Sequence, residues 1–267
     1  MKSTSLNFVF IFQGFLSLFL LGAAYYCLKN RAASRVYWNF GKNIAAAFVL
    51  IELLTLMSQG AMITASFIIP FHFVSIVLSV MGGMLLARRL GQPSLPFFTS
   101  LTRGRKREIR KIWHNFLKPI LIYAPLVCVF TFLLFKLTRP EMSDFIKSAT
   151  ESQGKFTTKV ELGSMVFFLL VALYEEILFR LFIQTFLSYV LRKFSMGNFI
   201  AIVGSSLLFA AGHFGILATW WVKFIQTFTI GLVLGNVMKK HGMEASFGVH
   251  TVLNIFALYA SSIVLEG

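Results

Sequence analysis

LGSMVFFLLVALYEEILFRLFIQTFLSYV, residues 162–190, is apolar along its length except where Glu175, Glu176 and Arg180 interrupt it as the only formal charges. Such a segment suits a bilayer core, which takes about 20 apolar residues per spanning helix. A single charge near the bilayer centre costs at least ~2.5 kcal/mol on insertion scales. Three charges within two helical turns therefore demand compensation. Glu176 and Arg180 are four residues apart, share one helix face and are expected to pair. Glu175 is turned about 100° from that face by the helical repeat. It is left as a free carboxylate aimed at another part of the molecule.

The rest of the chain has the same character. Of its 267 residues, 57% are hydrophobic and 13% charged, where a soluble domain carries about a quarter charged residues. No large soluble domain fits this composition, so residues 1–267 read as a single integral-membrane domain, embedded in a lipid bilayer. The 25 Lys and Arg residues exceed the 10 Asp and Glu residues, for a net charge of +15. In a polytopic membrane protein that excess collects on cytoplasmic loops, so no nucleic-acid partner is inferred from it. Cys27 and Cys128 both lie in apolar stretches and form neither a metal-binding spacing nor a disulfide framework.

Span length predicts about eight transmembrane helices, an all-α polytopic bundle. The expected spans are 7–28, two from 43–87 divided at Ser58-Gln59-Gly60, 119–137 with a kink at Pro125, 162–190, 199–219, a short one at 222–238, and 245–265. The N-terminal helices fall in 1–161 and the polar, motif-bearing ones in 162–267. Residues 29–42 and 88–118 carry strings of Lys and Arg and read as cytoplasmic loops, Pro93 and Pro96 marking loop in the second. The segment 139–161, of mixed charge, is placed outside. Trp220 and Trp221 mark an interface, and Lys223 is expected to snorkel. Glu52 and His72, within the expected second and third spans, are each expected to make a structural hydrogen bond. The membrane would be the plasma membrane in a prokaryote and the endoplasmic reticulum in a eukaryote.

Beyond Glu175, Glu176 and Arg180, three polar residues sit in the later apolar helices: His213, His250 and Asn254. His250 and Asn254 are four apart on one face, and Phe209 and His213 likewise, so that the Phe209 ring can pack beside the imidazole. Buried separately, these groups would leave several unsatisfied polar atoms in hydrocarbon. Gathered in one wet cavity they satisfy one another. A carboxylate can take a proton from water that a histidine helps to hold. A second histidine and an amide can donate to a developing oxyanion. The set suits amide hydrolysis without a covalent intermediate. Glu175, His213 and His250 could also ligate zinc, but no pair of them has a dedicated metal-binding spacing, so that alternative ranks below and no cofactor is expected.

Glu175-Glu176-x-x-x-Arg180, then Phe209-x-x-x-His213, then His250-x-x-x-Asn254 resemble the three motifs of the CAAX protease and bacteriocin-processing family, also called Abi, which includes the Ras-converting CAAX endopeptidases. The resemblance implies a metal-independent intramembrane glutamic endopeptidase with a core of eight helices. It implies that Glu175 and His213 activate water, that His250 and Asn254 form the oxyanion hole, and that Glu176, Arg180 and Phe209 support them. Its substrate would be a membrane-associated peptide or protein, either a prenylated CAAX-type tail or a bacterial peptide precursor. The alternative is a non-proteolytic membrane protein acting in bacteriocin immunity or as an interaction scaffold, with a proton-relaying transporter a further one. Straight helices would leave His213 toward the outside, Glu175 near mid-membrane and His250 toward the cytoplasm. One site therefore requires the sixth helix to be offset, shortened or tilted, which Gly212 and Gly215 permit.

Overall fold

A computed structural model describes residues 2–58, 62–97, 106–141 and 162–265. Among them the regular structure is helical, in the order α1 (Lys2–Lys29), α2 (Arg31–Ser58), α3 (Met62–Leu90), α4 (Lys106–Thr138), α5 (Leu162–Glu175), a π-helical segment (Glu176–Gln184), α6 (Thr185–Val190), α7 (Gly197–Gly212), α8 (Trp220–His241) and α9 (Met243–Leu265). The α5, π and α6 stretches follow one another without a break, so the described chain forms eight rods. This is the all-α polytopic bundle expected from composition.

The distribution of side chains is the reverse of a soluble protein's. Leu18, Leu121 and Leu137 are 65%, 72% and 83% exposed, while Glu176 and Arg180 are at 0%. Apolar surface of that extent needs lipid around it. Five helices contain stretches long and apolar enough to cross a membrane: Phe12–Lys29, Arg31–Met57, Ile68–Leu90, Asn115–Thr138 and Trp220–His241. The protein is an integral membrane protein.

Several expected boundaries move. Residues 29–42 are not a loop: α2 begins at Arg31, and Asn30 alone separates it from α1. Ala32, Ala33 and Arg35 are good helix formers. The joint is closed by side chains, Asn30 Nδ2 donating to the Tyr26 carbonyl (2.8 Å) and Ser34 Oγ to the Cys27 carbonyl (3.0 Å). The basic stretch 88–118 is not a loop throughout, since α3 continues to Leu90 and α4 starts at Lys106, running unbroken past Pro119 and Pro125. The short span at 222–238 lengthens to Trp220–His241. The sixth span stops at Gly212, so His213 caps the helix instead of lying inside it. The divider at Gln59-Gly60 and the outer segment from 142 to 161 lie outside the described residues.

Contacts gather the basic joints at one end of the bundle. Arg89 donates to Asn30 Oδ1 (2.6 Å) and to the Tyr189 hydroxyl (3.4 Å), and Gln92 Nε2 to Asn198 Oδ1 (3.3 Å). The Met243 N–H donates to the Ser94 carbonyl (2.9 Å). At the opposite end the Ala218 N–H meets the Glu141 carbonyl (2.9 Å). Close helix crossings depend on missing side chains. A Cβ on Gly83 would meet the Leu181 backbone, and one on Gly231 would meet Ser206. Small residues at crossings are how apolar helices approach in lipid.

Candidate active site

The two carboxylates stand where the helix changes type. Glu175 ends α5, and Glu176 opens the π segment, whose nine residues are all buried. A π-helix bonds five residues back instead of four, widens the turn, and in proteins accompanies functional sites more often than chance. The Thr185 hydroxyl, five residues on, donates to the Arg180 carbonyl (3.3 Å).

Glu176 is the structural carboxylate. Arg180 Nε lies 3.8 Å from its Oε1, His250 Nδ1 donates to the same oxygen at 3.0 Å, and the Ser246 hydroxyl donates to Oε2. Arg180 is held further by Ser205 Oγ (3.4 Å) and by the Phe209 ring, 4.8 Å below its guanidinium carbon. A buried ion pair stands only with such additional partners.

Glu175 is the free carboxylate, and two imidazoles meet it. His213 Nε2 is 3.5 Å from Oε1 and His250 Nε2 is 3.6 Å from Oε2. Each ring is turned by a bond at its other nitrogen. His213 Nδ1 donates to the Phe209 carbonyl (2.8 Å), and since a carbonyl only accepts, Nδ1 carries the proton. The Nε2 lone pair then faces Glu175. His250 is oriented by Glu176 in the same way. Phe209 packs edge-on against both rings, at 4.6 Å from His213 and 5.8 Å from His250. Side chains on a helix lean toward its N-terminus, which brings His213 back from the end of α7 to the depth of Glu175. The shortened helix thus resolves the depth mismatch. Asn254 is placed beside the site's own helix, its Nδ2 donating to the Phe168 carbonyl of α5 (3.3 Å).

Three features escaped the sequence. Ser246 completes Glu176, and its signal was available: Ser246, His250 and Asn254 recur every fourth residue. Glu52 and His72 do not bond separately but to each other (2.7 Å), with the Tyr174 ring 4.5 Å from His72. Residues on different helices give no local sign of such pairing. Lys223, expected to snorkel, is half-buried, its Nζ donating to Gln226 Oε1 at 2.9 Å. Among the described residues, no group of three or more His, Cys, Asp or Glu side chains is arranged to hold a metal ion.

A half-buried carboxylate flanked by two imidazoles, inside a bundle of lipid-facing helices, defines a polytopic membrane protein with an internal polar site. Residues 159–256, from the approach to α5 through Asn254, match the family described as Type II CAAX prenyl endopeptidase Rce1-like. The resemblance read from the three motifs holds over this part of the chain, and it supports intramembrane protease activity in general. No curated protein and no solved structure matches the chain.

Proposed function

We propose that the protein is an intramembrane endopeptidase in which Glu175 is the general base and His213 its partner in holding the attacking water. The observation that carries this reading is the convergence of both imidazole Nε2 atoms on the two oxygens of Glu175, at 3.5 and 3.6 Å. These gaps are too long for direct hydrogen bonds and short enough for one water to lie within bonding reach of a carboxylate oxygen and an imidazole. Glu175 takes a proton from that water as its oxygen bonds to the scissile carbonyl carbon. The carbonyl oxygen becomes an oxyanion, for which the second N–H of the Asn254 amide and His250 Nε2 are the donors, His250 acting so in its imidazolium form because its Nδ1 proton is engaged by Glu176. The C–N bond then breaks as Glu175 returns its proton to the leaving nitrogen. The substrate is a membrane-associated peptide or protein, a prenylated CAAX-type tail or a bacterial peptide precursor.

The test compares membranes containing wild type, Glu175→Gln, His213→Ala and His250→Ala, with new peptide termini profiled by mass spectrometry. General acid–base groups contribute about 10²–10⁴-fold, so each variant is expected to lose the wild-type termini at equal expression. The same termini are expected with a chelator present, and their loss would favour the zinc reading. Identical profiles in all four would move the assignment to an immunity or scaffold protein.

A further inference from the structure

The hydrolytic reading leaves the basic end of the bundle without a task. Three strings of sequence meet there: Lys29-Asn30-Arg31 at the joint of α1 and α2, Arg88-Arg89 at the end of α3, and Tyr189 to Lys193 where α6 runs into the turn before α7. Arg89 joins all three, its Nη2 donating to Asn30 Oδ1 (2.6 Å) and its Nη1 to the Tyr189 hydroxyl (3.4 Å). Its guanidinium carbon lies 5.3 Å from the centre of the Tyr26 ring. Arg192 covers the Tyr189 ring, its guanidinium carbon 3.9 Å from the centre, while its Nη1 donates to the Tyr189 carbonyl (3.1 Å). The Tyr26 and Tyr189 rings meet edge to face at 5.9 Å. Two guanidiniums from different helices are thereby fixed around one pair of tyrosines.

The charge of this cluster is not balanced by its own sequence. Lys29, Arg31, Arg88, Arg89, Arg192 and Lys193 are all exposed, and residues 23–40, 80–97 and 185–200 contain no Asp or Glu. Like charges held together repel, and an anion among them relieves the repulsion. The positive-inside rule accounts for cations at this end. It does not require that two of them be oriented by tyrosines and an asparagine. The bonds to Asn30 and Tyr189 occupy only part of each guanidinium's donor set. Oriented guanidiniums with remaining N–H groups suit phosphate. Beside the cations the surface is apolar, with Leu28, Val190 and Phe194 exposed. The ligand that matches both surfaces is an anionic head attached to hydrocarbon.

We propose that Arg89 and Arg192 form a binding site for the phosphate of an anionic phospholipid in the cytoplasmic leaflet. Guanidinium N–H groups donate to the phosphate oxygens in charge-assisted hydrogen bonds. Lys29, Arg31, Arg88 and Lys193 supply the surrounding positive field, and Leu28, Val190 and Phe194 lie against the acyl chains. Because Arg89 already links the α1–α2 joint to α3 and α6, a lipid seated on it binds the assembled bundle and stabilises it. The site does not depend on whether the protein cleaves a peptide.

The measurement is native mass spectrometry of the full-length protein released from detergent, titrated with phosphatidylglycerol, with phosphatidylcholine and with phosphatidylglycerol in competition with inorganic phosphate. Wild type is compared with Arg89→Gln/Arg192→Gln and with Lys239→Gln/Lys240→Gln, which removes the same charge at the end of α8. Wild type and the lysine variant are expected to bind phosphatidylglycerol in preference to phosphatidylcholine. The arginine variant is expected to lose about tenfold or more in phosphatidylglycerol affinity, the factor that two basic contacts to an anionic lipid supply. Equal binding of the two lipids by wild type would overturn the proposal. So would equal losses in the two variants, which would mean a general field without a site. Displacement of the lipid by inorganic phosphate at equal concentration would reassign the site to a free anion. Should Arg89→Gln prevent folding, Arg192→Gln, whose side-chain bond stays within its own turn, carries the comparison against Lys240→Gln. Arg192→Lys, which keeps the charge without the planar fork, is expected to recover only part of the affinity.

Discussion

Arg180 and Glu176 are the two charged side chains among the described residues that are completely buried, the costliest kind of group to bury. Removing one member of a buried pair leaves an uncompensated charge and costs about 3–5 kcal/mol, whereas removing both is often nearly neutral. Arg180→Met is therefore expected to lower stability in detergent by about that amount, and Glu176→Gln combined with Arg180→Met to recover a large part of it. Equilibrium unfolding of the two variants checks this; equal losses would mean that Ser205, Phe209 and His250 hold the site without the pair. At Glu175 the expectation is different. Glu175→Gln keeps shape and is expected to abolish cleavage while leaving unfolding close to wild type, because among the described residues this carboxylate has no direct hydrogen-bond partner to lose. The i, i+4 spacing made the Glu176–Arg180 pair legible in advance. It also identified Glu175 as the spare carboxylate. The partners of Glu176 on α9 were not legible, since pairing across helices leaves no local pattern.

At the scale of the element, the π segment and the short α7 do the positioning. Both replace a straight α-helix that hydropathy alone would assign. Hydropathy reports burial, and burial is the same for a π turn as for an α turn. The segment also packs tightly on α3, where Gly83 allows the Leu181 backbone to approach. Gly83→Ala places a methyl against a backbone carbonyl that cannot rotate away. Overpacking of this kind typically costs about 1–3 kcal/mol. The variant is expected to show a lower melting temperature and reduced cleavage together, because the Leu181 backbone belongs to the segment that carries Glu176 and Arg180. At Gly22, by contrast, no atom lies within 4 Å of an added Cβ. Gly22→Ala is expected to leave both properties unchanged, and a fluorimetric melt of the two variants separates the cases.

At the scale of the molecule, one end carries Arg31, Arg89, Arg192, Lys239 and Lys240, and the other carries the turn from His213 to Trp220. The positive-inside rule makes the first end cytoplasmic. Lys240→Cys is expected to resist a membrane-impermeant maleimide in intact cells, and Ala218→Cys to react with it; both positions are exposed, while Cys27 and Cys128 are buried. The reverse pattern would invert the topology.

Composition determined by itself that this chain lives in a membrane, because 57% hydrophobic residues cannot be enclosed within a domain of 267. Motif spacing determined which polar residues share a helix face, because the helical repeat is fixed by backbone geometry. Only the tertiary structure decided that Glu175, His213 and His250 meet at one depth and that Glu52 pairs with His72. These are relations between helices, set by where α7 ends, by the wider π turn and by how closely glycines let the rods approach, and distance along the chain encodes none of them.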